Sequence, residues 1–158
     1  MHLENPYTRF EQYRCFACHP EHPFGLRMVF SLEHDKVISE WMPHADYQGF
    51  YKVIHGGIQA TLADEIAGWV VQVICKTAGV TRDLNVRYLK PVLLDNGPLK
   101  LEAWLDHQQG RTALVKVSIL DRHQTLCTTA DVVYHLFDEQ TAREKFFYPG
   151  IEAFLPSR

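Results

Sequence analysis

The stretch HGGIQATLADEIAGWVVQVICKTAG, His55 to Gly79, constrains the fold more than any other part of the chain. Its apolar residues recur with helical spacing, glycines open it, and Lys76 and Gly79 close it. Between Gly56 and Cys75 only Asp64 and Glu65 are charged, and apolar side chains fall on nearly every face. A helix that is apolar almost all round is not a surface helix; other elements must wrap it. The spacing therefore predicts a buried helix over 55–79, and the rest of the chain has to supply the wrapping.

What flanks it alternates with a period of two. Leu26, Met28, Phe30 and Leu32 share a face, EHDK turns, and Val37 to Met42 returns, which reads as a hairpin. After the helix, Leu84, Val86 and Tyr88 alternate with Asn85, Arg87 and Leu89. Leu99, Leu101, Ala103 and Leu105 follow, then Ala113, Val115, Val117 and Ile119, then Leu126, Ala130, Val132, Tyr134 and Leu136. The short connections DNG, QQG and DRHQ suit antiparallel neighbours. The economical packing is an α+β domain in which one antiparallel sheet curls around one helix. Beyond Phe137 the charged and aromatic tail fits a short helix. At 158 residues the chain is read as a single domain, long enough to bury a core without staples.

A net charge of −3 with no basic run excludes nucleic acid as the expected partner. The start, MHLENPYTRFEQYRC, has no apolar segment of the signal type, and no run reaches the length of a membrane span. A cytoplasmic protein with reduced cysteines, no membrane partner and no cofactor is expected. Cys75 and Cys127 lie in apolar stretches and are expected to act as small core residues.

Two adjacent carboxylates on a buried helix are the main chemical signal, because an ionised carboxylate is costly to bury without a partner or a task. Asp64 and Glu65 lie about 100° apart around the helix, so they cannot share one role. Near Asp64 run Gly57, Ala60, Thr61, Ala67 and Gly68, small residues that leave room beside the carboxylate. Glu65 neighbours Leu62 and Trp69, a crowded apolar setting. Asp64 is thus the candidate catalytic base. At the helix start, His55-Gly56-Gly57 presents unpaired N–H groups and the positive end of the helix dipole. Such donors can hold a carbonyl oxygen that gains charge.

A second cluster precedes the first strand: CFACHPEHPFGL, Cys15 to Leu26. C-x-x-C-H can denote haem attachment, and Cys15, Cys18, His19 and His22 can be read as a zinc set. Neither is expected. Cys18 and His19 are neighbours that would have to point the same way, and HPFGL reads as a turn feeding a strand.

The segments VIHGGIQATLADEIAGW and GVTRDLNVRYLKPV resemble the hotdog-fold acyl-CoA thioesterases of the PaaI-like group, in the 4-hydroxybenzoyl-CoA thioesterase superfamily. The resemblance runs from about Phe24 to Phe137, so residues 24–137 would be the hotdog core, 1–23 an N-terminal segment and 138–158 a tail. It extends to the opening stretch, since some members carry C-x-x-C-G-x-x-N-P-x-G-L there; His19 and His22 depart from that pattern. It implies hydrolysis of an acyl-CoA, homodimers with sites at the subunit interface, and pairing into tetramers. It gives Asp64 the role of general base or nucleophile, and Gly56 and Gly57 that of polarising the thioester carbonyl. Thr81 would place the attacking water from the other subunit. His55 would shape the helix start; in related hydratases and dehydratases a histidine is the base. Gln48 is the nearest match to a residue that contacts the water or carbonyl. Gln109, Gly110, Arg111 and Thr112 match a turn along the CoA moiety, with Tyr88 and Lys90 on the same binding surface. Three other readings remain open on the sequence: an acyl-thioester hydratase or dehydratase using His55, a non-catalytic acyl-CoA-binding subunit, and a metal-binding module on Cys15 to His22.

Overall fold

A computed structural model describes residues 1–156; the last two residues of the expected tail lie outside the described residues. Six strands form one antiparallel sheet: β1 (Ser31–Glu33), β2 (Lys36–Trp41), β3 (Gly79–Tyr88), β4 (Leu99–Gln109), β5 (Thr112–Leu120) and β6 (Leu126–Leu136). Their order across the sheet is β1-β2-β4-β5-β6-β3. Helix α1 (Gly56–Val73) packs against β2 to β6, so the sheet wraps the helix as the alternating pattern requires, in the hotdog arrangement. Leu62, Ala63, Ile66, Ala67, Val70 and Val71 of α1 meet Leu99, Leu101, Val115, Val117, Ile119 and Val132, all buried.

The helix is shorter than its apolar pattern predicts. It ends at Val73, and Lys76 turns the chain through a left-handed conformation at φ 55°. Gly79 then opens β3, where an added Cβ would come within 2.9 Å of the His135 carbonyl oxygen. Nor is α1 buried all round. Gly57 is exposed, and Ala60, Thr61, Asp64 and Gly68 are only half-buried, so most of the small-residue stripe is its open side; Ala67, read as part of the stripe, is fully buried.

That opening follows from the position of β3 at the sheet edge, where among the described residues it pairs with β6 alone. The expected burial of Leu84, Val86 and Tyr88 on one face fails there. Val80, Leu84 and Tyr88 are 43%, 38% and 53% exposed, because β3 is the edge strand and among the described residues only β6 flanks it. The expected first strand is also mostly extended chain: Leu26, Met28 and Phe30 point inward, but regular pairing begins only at Ser31.

The tail does form a helix, α2 (Glu139–Phe146), with the Asp138 side chain accepting from the Thr141 amide. Beyond it Phe154 is fully buried, edge-on to Trp69 with centroids 5.6 Å apart. Phe30 stacks on Trp69 at 4.3 Å. The C-terminal segment thus covers part of the helix that the sheet does not reach.

One buried polar pair fastens α1 to the sheet. Thr128 Oγ1 donates to Gln59 Oε1 at 2.5 Å, and Gln59 Nε2 donates to the Ile54 carbonyl at 3.0 Å. Thr128→Val preserves the shape but strands the Gln59 oxygen, and should cost about 1–3 kcal/mol. The expected readout is a lower urea midpoint with an unchanged slope.

Candidate functional site

Helix α1 and edge strand β3 run side by side in opposite directions. The Tyr88 hydroxyl donates to the Gly56 carbonyl at 2.7 Å, and the Thr81 hydroxyl donates to Asp64 Oδ1 at 2.7 Å. Further along, Val71 lies against Gly79. These contacts define a groove between helix and strand with Asp64 midway.

Asp64 is a partnered carboxylate. Tyr134, reaching up from β6, donates both to the Asp64 carbonyl oxygen at 2.8 Å and to Oδ1 at 3.2 Å. Burial, and then the Asp64 charge, push the Tyr134 phenol well above its ordinary value, so it stays a donor. Oδ1 is therefore held by two hydroxyls, while Oδ2 makes no hydrogen bond among the described residues. The small-residue stripe leaves Asp64 half-exposed on the groove side. Gly68 also leaves room for Tyr134, whose hydroxyl would lie 3.4 Å from an added Cβ.

At the helix start His55 is the N-cap: its Nδ1 accepts from the Gly57 amide at 2.8 Å. That bond fixes the imidazole with Nδ1 unprotonated, and gives His55 a structural task. The Gly56 amide makes no hydrogen bond among the described residues. Tyr88 lies so close that a Cβ on Gly56 would meet its ring at 3.3 Å.

The remaining expected residues divide between the two ends of the groove. Gln48 sits near the helix start through its bridge to Ile54, but its Oε1 accepts from the Lys52 amide at 2.7 Å and so closes a local turn. Lys90 follows Tyr88 at this same end, exposed. Gln109, Gly110, Arg111 and Thr112 form the β4–β5 turn at the opposite end, where Thr112 and Val80 both pair with His135. Arg111 Nη2 lies 3.4 Å from Asp138 Oδ2, beside a cleft of about 430 Å³ that also takes in Lys76 and Arg143. Thr81 meets Asp64 within one chain, so contact between these two residues needs no second subunit.

Two residues escaped the sequence reading. Tyr134 fell among the inward positions of β6, and nothing in its spacing marks a hydroxyl aimed at Asp64. Glu65 reads in the sequence as a crowded apolar position, yet Cys15 Sγ lies 3.6 Å from each of its carboxylate oxygens and Cys18 Sγ lies 3.1 Å from Cys15 Sγ. Burial, and then Cys15, push the Glu65 carboxyl up to about 7. The hydrogen bond from Cys18 pulls the Cys15 thiol below its usual range. The histidines of the opening motif take no part. Nδ1 of His19 accepts from the Glu21 amide and Nδ1 of His22 from the Phe24 amide, each inside its own turn.

Residues 51–128 match the family model of the thioesterase superfamily. No curated protein matches the sequence. Among solved structures, a hypothetical thioesterase protein from Streptococcus pneumoniae, crystallised with coenzyme A, is 25% identical with a TM-score of 0.64. The match covers 71% of this chain and 87% of that one. Two further structures of a hypothetical thioesterase protein from the same organism carry an alanine in place of one aspartate or one threonine. A Streptococcus mutans protein bound to acetyl-CoA is 22% identical, with a TM-score of 0.65 and coverage of 82% and 97%. A thioesterase from Haemophilus influenzae is 18% identical, with a TM-score of 0.67 and coverage of 77% and 85%.

Replacing His55 by Ala should remove the helix cap at a cost of about 1 kcal/mol. For a domain of this size that corresponds to a fall of roughly 2–4 °C in the thermal midpoint, read by circular dichroism.

Proposed function

The chain is a hotdog-fold member of the thioesterase superfamily, and within it we propose that this protein hydrolyses an acyl-CoA thioester to a free acid and CoA. The observation that carries the reading is the Asp64 carboxylate, held by Thr81 and Tyr134 through Oδ1 with Oδ2 open to the groove. In this proposal Oδ2 either takes a proton from a water that attacks the thioester carbon, or attacks that carbon itself to give an anhydride that water then opens. In both routes the C–S bond breaks, and the CoA thiolate leaves and is protonated. The carbonyl oxygen gathers negative charge on the way, and the first-turn amides of α1 are the donors for it. Gly56 offers a free amide; the Gly57 amide joins when the oxygen displaces His55 Nδ1.

These parts cannot serve one substrate within one chain. Seven residues at 1.5 Å of rise separate Gly57 from Asp64 by roughly 10 Å, too far for a carbonyl to meet both. We therefore propose a homodimer in which the helix start of one copy faces Asp64 of the other across exposed β3. An isologous interface makes two such sites at once. The relative crystallised with coenzyme A supports CoA as the carrier. At the far end of the groove Lys76, Arg111 and Arg143 stand among Asp138, Glu139 and Glu152, and in this reading the three cations are the donors for its phosphates. The hydratase reading would make His55 the base, but its Nδ1 is already engaged as the cap.

Thiol release from a panel of short, medium and aryl acyl-CoAs tests the activity. Asp64→Asn should lower turnover by about a hundredfold or more with the fold unchanged; no release from folded wild type, or near-normal turnover in the variant, would remove the reading. Gly56→Val should also be inactive alone. Mixed dimers of the two inactive chains should recover about a quarter of wild-type activity, since one of two sites is intact in half of the dimers. Arg111→Ala should raise KM roughly three- to tenfold at constant kcat, as loss of a binding contact does.

A further inference from the structure

On the face of α1 next to Asp64's, three ligand-type atoms converge outside the groove. Cys15 Sγ, Cys18 Sγ and a Glu65 carboxylate oxygen all lie within 4.8 Å of one another, although 50 residues of sequence separate Cys15 from Glu65. We propose that this cluster is a site for one soft divalent cation, zinc by chemical preference, held by the two thiolates and the Glu65 carboxylate with its fourth position open.

Four features of the surroundings point to a cation. The ligand atoms are already fixed by donors around them, as outer-shell partners fix a metal's ligands. Trp69 Nε1 donates to Glu65 Oε1 at 3.1 Å, Asn5 Nδ2 to Cys18 Sγ at 3.5 Å, and the Cys18 amide to Cys15 Sγ at 3.3 Å. The Tyr13 hydroxyl lies 2.9 Å from Cys18 Sγ. Secondly, Cys18 is buried and Cys15 and Glu65 are half-buried, and no salt bridge to Glu65 forms among the described residues. Even a half-buried carboxylate gains from a cation beside it, and a bound metal supplies one. Thirdly, the Cys-x-x-Cys turn is rigidly closed. The Leu26 and Met28 amides donate to the Phe16 and Ala17 carbonyls at 2.9 and 2.8 Å, and an added Cβ on Gly25 would collide with the Phe16 oxygen. Fourthly, Cys15, Cys18 and Glu65 line one wall of a cavity of about 550 Å³, which leaves space for a water or a small donor as fourth ligand.

Two thiolates and a carboxylate suit zinc, with Zn–S bonds of about 2.3 Å and tetrahedral angles. The sulfurs would move apart by roughly 0.7 Å from their present 3.1 Å, to about 3.8 Å. Each thiol that binds gives its proton to solvent, so uptake releases protons. The ion would tie the N-terminal segment to α1, and its chemistry is separate from that of Asp64.

Cobalt is the probe. Fully reduced wild-type protein titrated with Co²⁺ should develop near-ultraviolet thiolate-to-cobalt absorption and intense visible bands of a tetrahedral ion, saturating at one per chain and bleached by zinc. Cys15→Ser should weaken cobalt binding by more than about a hundredfold, beyond the loss typical of an outer-shell partner. Glu65→Gln, which keeps its shape, should weaken it by about tenfold or more and leave the thiolate absorption in place. Cys75→Ser should change nothing. The wild-type titration decides even if a variant fails to fold: no thiolate-to-cobalt absorption in reduced wild type overturns the proposal. A signal that survives Cys15→Ser, or one lost in Cys75→Ser, overturns it as well.

Discussion

Enclosure of helix α1 by the sheet is the constraint on which everything else rests. Seven of its side chains, from Leu62 to Val71, are at most 2% exposed, and no surface helix could carry them. Their burial favours the closed form at about 25 cal/mol for each Å² of apolar surface removed from water. The sheet can close over them only by curling, and the curl ends at β3. Among the described residues that strand has no further partner, and the groove it leaves beside α1 is a direct result of the wrapping.

Within this wrapping, two consecutive carboxylates meet different environments. The turn of about 100° from Asp64 to Glu65 sends one side chain to the open groove and the other under the N-terminal segment. Asp64 is held by hydroxyls of β3 and β6, which leave one oxygen unengaged. Glu65 is met by thiols and an indole N–H, in a setting where charge is poorly solvated. The partners in each case explain why the helix tolerates the residue. For the proposed hydrolysis, a hydroxyl pair suits a carboxylate that works beside water; for the proposed cation site, a thiol pair with a shared void suits one that binds through its charge.

The N- and C-terminal segments complete what the sheet leaves open. Trp69 stacks on Phe30 and meets Phe154 edge-on, and Phe154 meets Tyr7 in the same way. The aromatic cluster clamps Tyr7 and Phe154 onto the Glu65 side of α1, and among the described residues the partners of Asp64 come from β3 and β6. One face of the helix is therefore committed to structure inside the chain, and the other faces β3.

Much of this was legible in the sequence. The unbroken apolar pattern of α1 and the period-two runs after it determined a sheet wrapped on a helix, because burial periodicity is local information that survives without coordinates. The same holds for Asp64 with its stripe of small residues, for the glycines at the helix start, and for His55 as the residue that shapes it. The tertiary structure decided the rest. That α1 stops at Val73 depends on a left-handed Lys76 and on Gly79 fitting under His135, neither of which an apolar run can reveal. Tyr134 became a partner of Asp64 through a hydroxyl 70 residues away in sequence. Cys15 and Cys18 found Glu65 instead of His19 and His22, since each histidine is spent on its own turn while the folded chain carries the thiols to the helix. Periodicity tells which face of an element is buried; only the packed chain tells which atoms meet there, because a hydrogen bond or ligand set forms between positions that the sequence keeps far apart.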